Sequence, residues 1–183
     1  MALTYSSMLE LGSSLKEFNL LDIVSGNNFS STELDETKPS LIMFICNHCP
    51  YVIHYHDEIK CLAGDYAEIL NMVAISSNDI ENYPQDGPDK MRELWRDLDL
   101  SFPYLFDSTQ DVAKQYKAEC TPEFYLFDSS QKLVYRGRLD ESSPNSGLEP
   151  TGEDLRNALE SVLNNQDVNA DQFPSMGCNI KWK

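Results

Sequence analysis

The chain has 183 residues, of which 41% are hydrophobic, a length and composition typical of one folded domain with a full apolar core. Its 30 acidic and 14 basic residues give a formal net charge of −16. A chain of that charge repels phosphate groups, which argues against a nucleic acid or an anionic membrane surface as its partner.

The start of the chain and the number of its cysteines indicate the cellular compartment. Residues 1–18 lack a basic segment followed by an apolar one, and no apolar run approaches the ~20 residues that a membrane helix needs. We therefore expect a cytoplasmic protein. The chain has five cysteines, and an odd number argues against a framework of structural disulfides, so that some thiols should stay reduced.

Hydrophobic periodicity predicts strands and helices in alternation. Residues 15–29 predict a β-hairpin with its turn at Ser-Gly-Asn-Asn, and the apolar run 40–46 predicts a strand that is buried on both faces. Pro50 then falls in the first turn of a helix that continues to about residue 69. The elements predicted after this helix are a strand at 72–77, a helix at 89–100, a short strand at 102–107, a helix starting at 108 or 109, a β-hairpin at 123–139 and a last helix at 151–165.

This order predicts an α/β protein, with a mixed central sheet flanked by helices and preceded by an N-terminal β-hairpin. We expect residues 1–183 to form a single domain. Its core should cover about 15–164, and residues 165–183 should form an irregular C-terminal tail.

Residues 46–49 read Cys-Asn-His-Cys, at the point where the buried strand gives way to a helix. The unpaired amides and the dipole of a first helical turn favour negative charge. Cys46 should therefore be stabilised as a thiolate, the form that attacks disulfides, and His48 can add a positive charge or a hydrogen bond. Cys49, which we expect to be more buried and less acidic, suits the release of a mixed disulfide by closure of the Cys46–Cys49 bond.

The motif and two later segments resemble the thioredoxin-like superfamily. The apolar strand, "CNHCP" and the helix after it are similar to the redox motif of thioredoxins and thiol-disulfide oxidoreductases. Further on, "CTPEFYLFD" resembles the Thr–cis-Pro element that faces this motif, and "ISSND" and "GCNIKWK" are similar to redoxins grouped with the alkyl hydroperoxide reductase and thiol-specific antioxidant family. The resemblance implies a thioredoxin fold, a cis bond before Pro122, and a Thr121 backbone that pairs with a substrate chain.

The sequence departs from the related families at two positions. Thioredoxins carry a buried Asp six residues before the first cysteine, where this chain has Ser40, so that Glu123 becomes a candidate for handling the proton of Cys49. Peroxiredoxins carry Pro-x-x-x-Thr-x-x-Cys, and here Pro39 matches but Met43 replaces the Thr whose hydroxyl binds peroxide.

The motif and the resemblance together predict a thiol-disulfide oxidoreductase. Cys46 attacks, Cys49 resolves, His48 tunes the pair, and Thr121 with Pro122 positions the substrate, a disulfide in a protein or a small molecule. A thiol donor supplies the electrons, and neither an organic cofactor nor a metal is predicted. A cytoplasmic setting favours the direction of a reductase.

The first alternative is a thiol-dependent peroxidase. Cys46 would be oxidised to a sulfenic acid, which Cys49, Cys120 or Cys178 would resolve. The resemblance places Cys120 near Cys46, either as an accessory thiol or as a buried one. Cys178 either resolves a bond with the partner in a homodimer or anchors the tail.

The second alternative is a metal-binding or redox-sensing module. Cys46, Cys49, His54 and His56 offer ligand types that suit zinc or copper. The two histidines, however, are two positions apart on a predicted helix and point about 200° apart, so both cannot face one ion. Cys61 is expected to be a small buried residue on the same helix.

Overall fold

Strands and helices alternate along residues 3–183, the part of the chain that the computed structural model describes. The strands are β1 (Leu3–Tyr5), β2 (Asn19–Asp22), β3 (Asn28–Ser30), β4 (Ser40–Phe44), β5 (Asn71–Ser76), β6 (Tyr104–Phe106), β7 (Cys120–Thr121), β8 (Glu123–Phe127), β9 (Leu133–Gly137) and β10 (Met176–Asn179). The α-helices are α1 (Pro50–His54), α2 (His56–Tyr66), α3 (Pro88–Asp97), α4 (Asp111–Tyr116) and α5 (Glu153–Leu163).

Seven strands form the central sheet, in the order β3-β2-β6-β5-β4-β8-β9. Strand β5 pairs in parallel with both β4 and β6, while β8 and β9 add an antiparallel hairpin at one end and β2 and β3 add another at the other end. The mixed sheet and the N-terminal hairpin predicted from the sequence are therefore confirmed.

The central strand β4 explains why the sheet is covered on both faces. All five of its residues are buried, as the apolar run predicts. Leu41 and Met43 belong to the cluster that includes buried residues of α1, α2, α3 and α5, whereas Ile42 and Phe44 belong to the cluster that includes α4. Successive side chains of a strand point to opposite faces, so a continuous apolar run buries both.

A second sheet of three strands, in the order β1-β10-β7, contradicts the prediction of an irregular C-terminal tail. Residues 176–179 pair antiparallel with β7 on one side and with β1 on the other. Their sequence, Met-Gly-Cys-Asn, lacks the alternation of a half-buried strand. They become a strand only because partners distant in sequence supply both ladders of hydrogen bonds.

Two helices begin or end where the sequence did not predict it. The helix expected from Pro50 to about residue 69 is divided at Tyr55, which lies between α1 and α2, and the second part ends at Tyr66. Helix α4 begins at Asp111 rather than at 108 or 109, because Gln110 adopts a left-handed conformation with φ of 66°. Over the described residues, no helix combines the length and the apolar character that crossing a membrane requires.

Candidate active site

Cys46 and Cys49 lie between the end of β4 and the start of α1. Cys49 is the residue that precedes the first helical turn, with an extended backbone, and Pro50 is the first residue of the helix. A proline disfavours the helical conformation for the residue before it, which fixes where α1 begins. Both side chains are enclosed, with Cys46 1% and Cys49 0% exposed.

The segment containing Thr121 and Pro122 faces both sulfurs. The peptide bond before Pro122 is cis, which confirms the prediction. The Thr121 hydroxyl lies 3.4 Å from Cys46 Sγ, and the Thr121 carbonyl oxygen lies 3.1 Å from Cys49 Sγ. One residue therefore holds the two sulfur atoms side by side.

Cys46, His48 and Asp86 form what we call the polar side of the site. The Asp86 carboxylate is buried, accepts a hydrogen bond from His48 Nδ1 at 2.7 Å, and also accepts from the backbone N–H of Asn47 at 2.9 Å and from Asn78 Nδ2 at 2.8 Å. A ring nitrogen of His48, a carboxylate oxygen of Asp86 and Cys46 Sγ all lie within 4.8 Å of one another. An ionised carboxylate only accepts hydrogen bonds, so the proton of this contact sits on Nδ1.

Sequence reasoning missed Asp86. It lies in a turn-rich loop, in the short 3-10 helix Pro84–Asp86, well away from the motif in sequence. No spacing rule links it to the cysteines. The structure joins them because the loop after β5 passes beside the loop after β4.

Cys49, Cys178 and Thr121 form what we call the sulfur side of the site. Strand β10 places Cys178 opposite Thr121 in the antiparallel register, and the Cys178 thiol is hydrogen-bonded to Cys49. Sequence reasoning named Cys178 as an accessory thiol but did not predict this contact. Predicting the contact from the sequence would have required recognising residues 176–179 as a strand.

The pKa order of the two motif cysteines is the reverse of the predicted one. Hydrogen bonds from Cys178 and Cys46 lower the pKa of Cys49, helped by the Val52 amide of α1. The bond to Cys49, burial and the charge of Asp86 raise the pKa of Cys46. The Thr121 carbonyl repels a charge on Cys49, but two S–H donors and an amide outweigh one carbonyl. The helix terminus acts on Cys49 because the helix begins directly after it.

Cys120 and Glu123 lie on the other side of the Thr121 segment. Burial raises the pKa of Glu123 to about 7, and its carboxylate accepts from the backbone N–H groups of Glu119 and Cys120 and from the Tyr125 hydroxyl. The Cys120 thiol is 3.9 Å from the same carboxylate, and burial raises its pKa. Among residues 3–183, the hydrogen-bond partners of the Glu123 carboxylate are thus Glu119, Cys120 and Tyr125. Cys49, whose proton Glu123 was expected to handle, is not one of them.

The remaining candidates lie outside this cluster. Cys61 is exposed on α2, which contradicts the expectation that it is buried. His54 Nε2 is hydrogen-bonded to Ser142 Oγ at 3.0 Å, and burial lowers the pKa of His56. Within residues 3–183, the group of side chains close enough to share a metal ion is Cys46 with His48 and Asp86, not the pair of histidines on the helix. Its sulfur, nitrogen and oxygen donors suit zinc and would engage Cys46 itself.

The sequence and the fold of this chain are similar to those of known proteins. The model of the Redoxin family matches residues 10–153. The crystal structure of an uncharacterized conserved protein from Geobacillus kaustophilus is 46% identical, with a TM-score of 0.97 over 100% of this chain and 97% of that one. A hypothetical protein from Sinorhizobium meliloti 1021 is 41% identical, with a TM-score of 0.95 over 98% of each chain.

A curated relative has a stated activity. The thiol-disulfide oxidoreductase YkuV of Bacillus subtilis (strain 168) is 26% identical over 100 residues, which are 52% of this chain and 64% of that protein. The match therefore spans less than two thirds of the relative's length. More distant thioredoxin-like structures, 16–22% identical, share the fold, so the predicted thioredoxin fold is confirmed.

Proposed function

The chain belongs to the Redoxin family, and from this premise we propose that it reduces disulfides with the Cys46–Cys49 pair. The observation that carries the proposal is the contact of both sulfurs with Thr121, at 3.4 and 3.1 Å, and with each other. Two thiols in hydrogen-bonding contact need only a small approach to form a disulfide. The activity of the curated relative supports the same chemistry.

The reaction proceeds in two exchanges. Cys46 Sγ attacks one sulfur of the substrate disulfide and forms a mixed disulfide, while its proton passes to Cys49 along their hydrogen bond and the first substrate thiolate leaves. Cys49 then gives up that proton to the departing sulfur and attacks Cys46, which forms the Cys46–Cys49 disulfide and releases the second thiol. Two thiols of an electron donor reduce the pair again, so that one disulfide is reduced for each one formed.

His48 handles protons at the outer edge of the pair. Its Nδ1–H is donated to Asp86, so the other ring nitrogen is the one that can exchange a proton. His48 and Asn47 are only partly buried, whereas both sulfurs are enclosed. The substrate therefore approaches Cys46 on the polar side, where this ring nitrogen of His48 can take up a proton from solvent or from the donor thiol and pass it to a leaving thiolate.

A thiol-dependent peroxidase is the second candidate. Met43 has no hydroxyl that could bind peroxide. Another hydroxyl lies beside the sulfur, because Thr121 Oγ1 is 3.4 Å from Cys46 Sγ. A hydroxyl at that distance can hydrogen-bond a peroxide while Cys46 attacks it. Cys49 would then resolve the sulfenic acid.

The test is a stopped-flow comparison on the fully reduced protein. It is mixed separately with glutathione disulfide and with hydrogen peroxide, and each cysteine is then mapped by alkylation and mass spectrometry. We expect a fast reaction with the disulfide, a slow one with peroxide, and a Cys46–Cys49 product. The Cys46→Ser variant should lose the fast reaction with the disulfide, and Cys61→Ser, at an exposed position, should match the wild type. A fast reaction with peroxide alone would instead identify a peroxidase.

A further inference from the structure

We propose that Cys178 is a third redox-active thiol, which attacks the Cys46–Cys49 disulfide, forms a Cys49–Cys178 disulfide and frees Cys46. The inference rests on the proposed function, since the Cys46–Cys49 bond must form first. It makes Cys49 the shared partner of two cysteines. It also assigns a chemical role to the C-terminal strand.

The register of β10 brings the thiol to the pair. Strand β7 has two residues, and Cys178 lies opposite Thr121 while Asn179 lies opposite Cys120. The carbonyl of the same Thr121 contacts Cys49 Sγ at 3.1 Å, and Cys49 is hydrogen-bonded to Cys178. The two thiols are therefore held at the same residue, and a disulfide forms when their sulfur atoms approach to ~2.05 Å.

Gly177 allows this close approach. A Cβ added at Gly177 would overlap with the Thr121 carbonyl oxygen, so only a glycine fits at this position. On the other side of β10, Leu3 of β1 pairs with Cys178. The thiol is therefore held on a strand that is paired along both edges, next to Cys49, rather than on a loose tail.

Strand β10 also fills the edge of β7 at the site. An exposed strand edge is where an extended peptide adds by backbone hydrogen bonds. Here the chain's own residues 176–179 occupy that position, so the cysteine that lies beside the redox pair is Cys178 of the same molecule. The Thr121 backbone, for which pairing with a substrate chain is predicted, pairs with β10 in this structure.

Oxidation of the pair activates Cys178. In the reduced protein, the hydrogen bond to Cys49 and the charge on Cys49 raise the pKa of Cys178 together with burial, while Lys181 lowers it. When Cys49 is in a disulfide, its charge and its hydrogen bond are lost and the effect of Lys181 remains. Burial still raises the pKa of Cys178, but without the other two causes the thiol ionises more readily beside an oxidised pair than beside a reduced one.

The exchange balances without another reagent. The Cys178 sulfur bonds to the Cys49 sulfur, the Cys46–Cys49 bond breaks, and Cys46 leaves with the electron pair and takes up the proton that Cys178 gives up. The two oxidising equivalents stay in the molecule. Cys46 is then ready to attack again while the disulfide is stored on the sulfur side.

The experiment follows the disulfides in the full-length protein. Reduced wild type is treated with one equivalent of glutathione disulfide, quenched in acid, alkylated and digested with trypsin. No lysine or arginine separates Cys46 from Cys49, so their bond lies within one peptide, whereas a bond to Cys178 joins two. We expect both products in wild type, only the first in Cys178→Ser, and the wild-type pattern in Cys61→Ser.

The Cys46→Ser variant gives an independent test because it keeps both cysteines of the proposed bond. Treated with glutathione disulfide, it should form the cross-linked Cys49–Cys178 peptide. The inference is overturned if Cys178 is alkylated in every oxidised wild-type molecule and Cys46→Ser yields only a glutathione adduct. Failure of wild type to form any Cys46–Cys49 bond would instead overturn the proposed function.

Discussion

The two sides of the thiol pair differ in what surrounds each sulfur. On the polar side, Cys46 lies within 4.8 Å of a histidine nitrogen and a buried carboxylate, near partly exposed residues. On the sulfur side, Cys49 contacts another thiol and a backbone carbonyl in an enclosed space. The first environment suits the transfer of protons to and from solvent, while the second suits the exchange of one sulfur for another. A four-residue motif thus presents two chemistries because different distant segments cover its two ends.

The difference between the two sides should show most strongly when each sulfur is removed. Cys46→Ser and Cys49→Ser should both lower the turnover of glutathione disulfide by about a thousandfold or more, since a pair acting as a unit fails when either member is lost. Cys49→Ser should still gain one glutathione by intact mass, because Cys46 attacks but nothing resolves the adduct. Cys61→Ser is the control. An adduct on Cys46→Ser without one on Cys49→Ser would assign the attack to the sulfur side.

The polar side is tested by Asp86→Asn, which removes the acceptor of His48 Nδ1–H and a negative charge near Cys46. Turnover at neutral pH should fall about 100-fold, because His48 is no longer held for proton transfer. The midpoint of the pH profile of Cys46 alkylation should move down, since one of the groups that raise its pKa is gone.

The control for this variant is Asp89→Asn, an exposed aspartate that pairs with Arg92 at 3.0 Å on α3. It should change neither the turnover nor the alkylation profile. A drop in turnover with an unmoved alkylation midpoint would show that Asp86 serves only the structure of its loop.

The region behind the sulfur side is tested by Glu123→Gln. Burial raises the pKa of this carboxyl from 4.5 to about 7, so the folded protein binds the proton more tightly than the unfolded chain does. The stabilisation is complete below pH 4.5 and is lost as the pH rises through 7, a loss of about 2–3 kcal/mol between pH 5 and pH 8. Urea unfolding should show this loss in wild type and in the exposed control Glu17→Gln, but not in Glu123→Gln. An equal loss of unfolding free energy between pH 5 and pH 8 in all three proteins would contradict this role of Glu123.

The smallest expected effect is that of Gly177→Ala. A methyl group that meets the Thr121 carbonyl must push β10 away, which should lower the free energy of unfolding by about 1 kcal/mol or more. The Cys49–Cys178 cross-link should fall several-fold while the Cys46–Cys49 bond still forms. Gly64→Ala, on α2 with nothing within 4 Å, is the matched control and should leave both bonds unchanged. An unaltered cross-link in Gly177→Ala would mean that β10 does not need its close approach.

Local features of the fold followed from the sequence. The apolar run of β4, the N-terminal hairpin and the start of a helix at Pro50 all depend on neighbours within a few positions, and each is observed. The cis bond before Pro122 followed from the resemblance. The burial of Cys61 was wrong because a single position on a helix flank is not fixed by periodicity.

The sequence by itself determined that two thiols stand where a buried strand meets a helix, because strand and helix formation are read from nearby residues. Tertiary structure decided what each thiol touches. Asp86 reaches the polar side through a loop after another strand, and Cys178 reaches the sulfur side because β10 pairs with β7. Such pairings depend on which backbone edges remain unpaired once the sheets have assembled, and no local pattern records that.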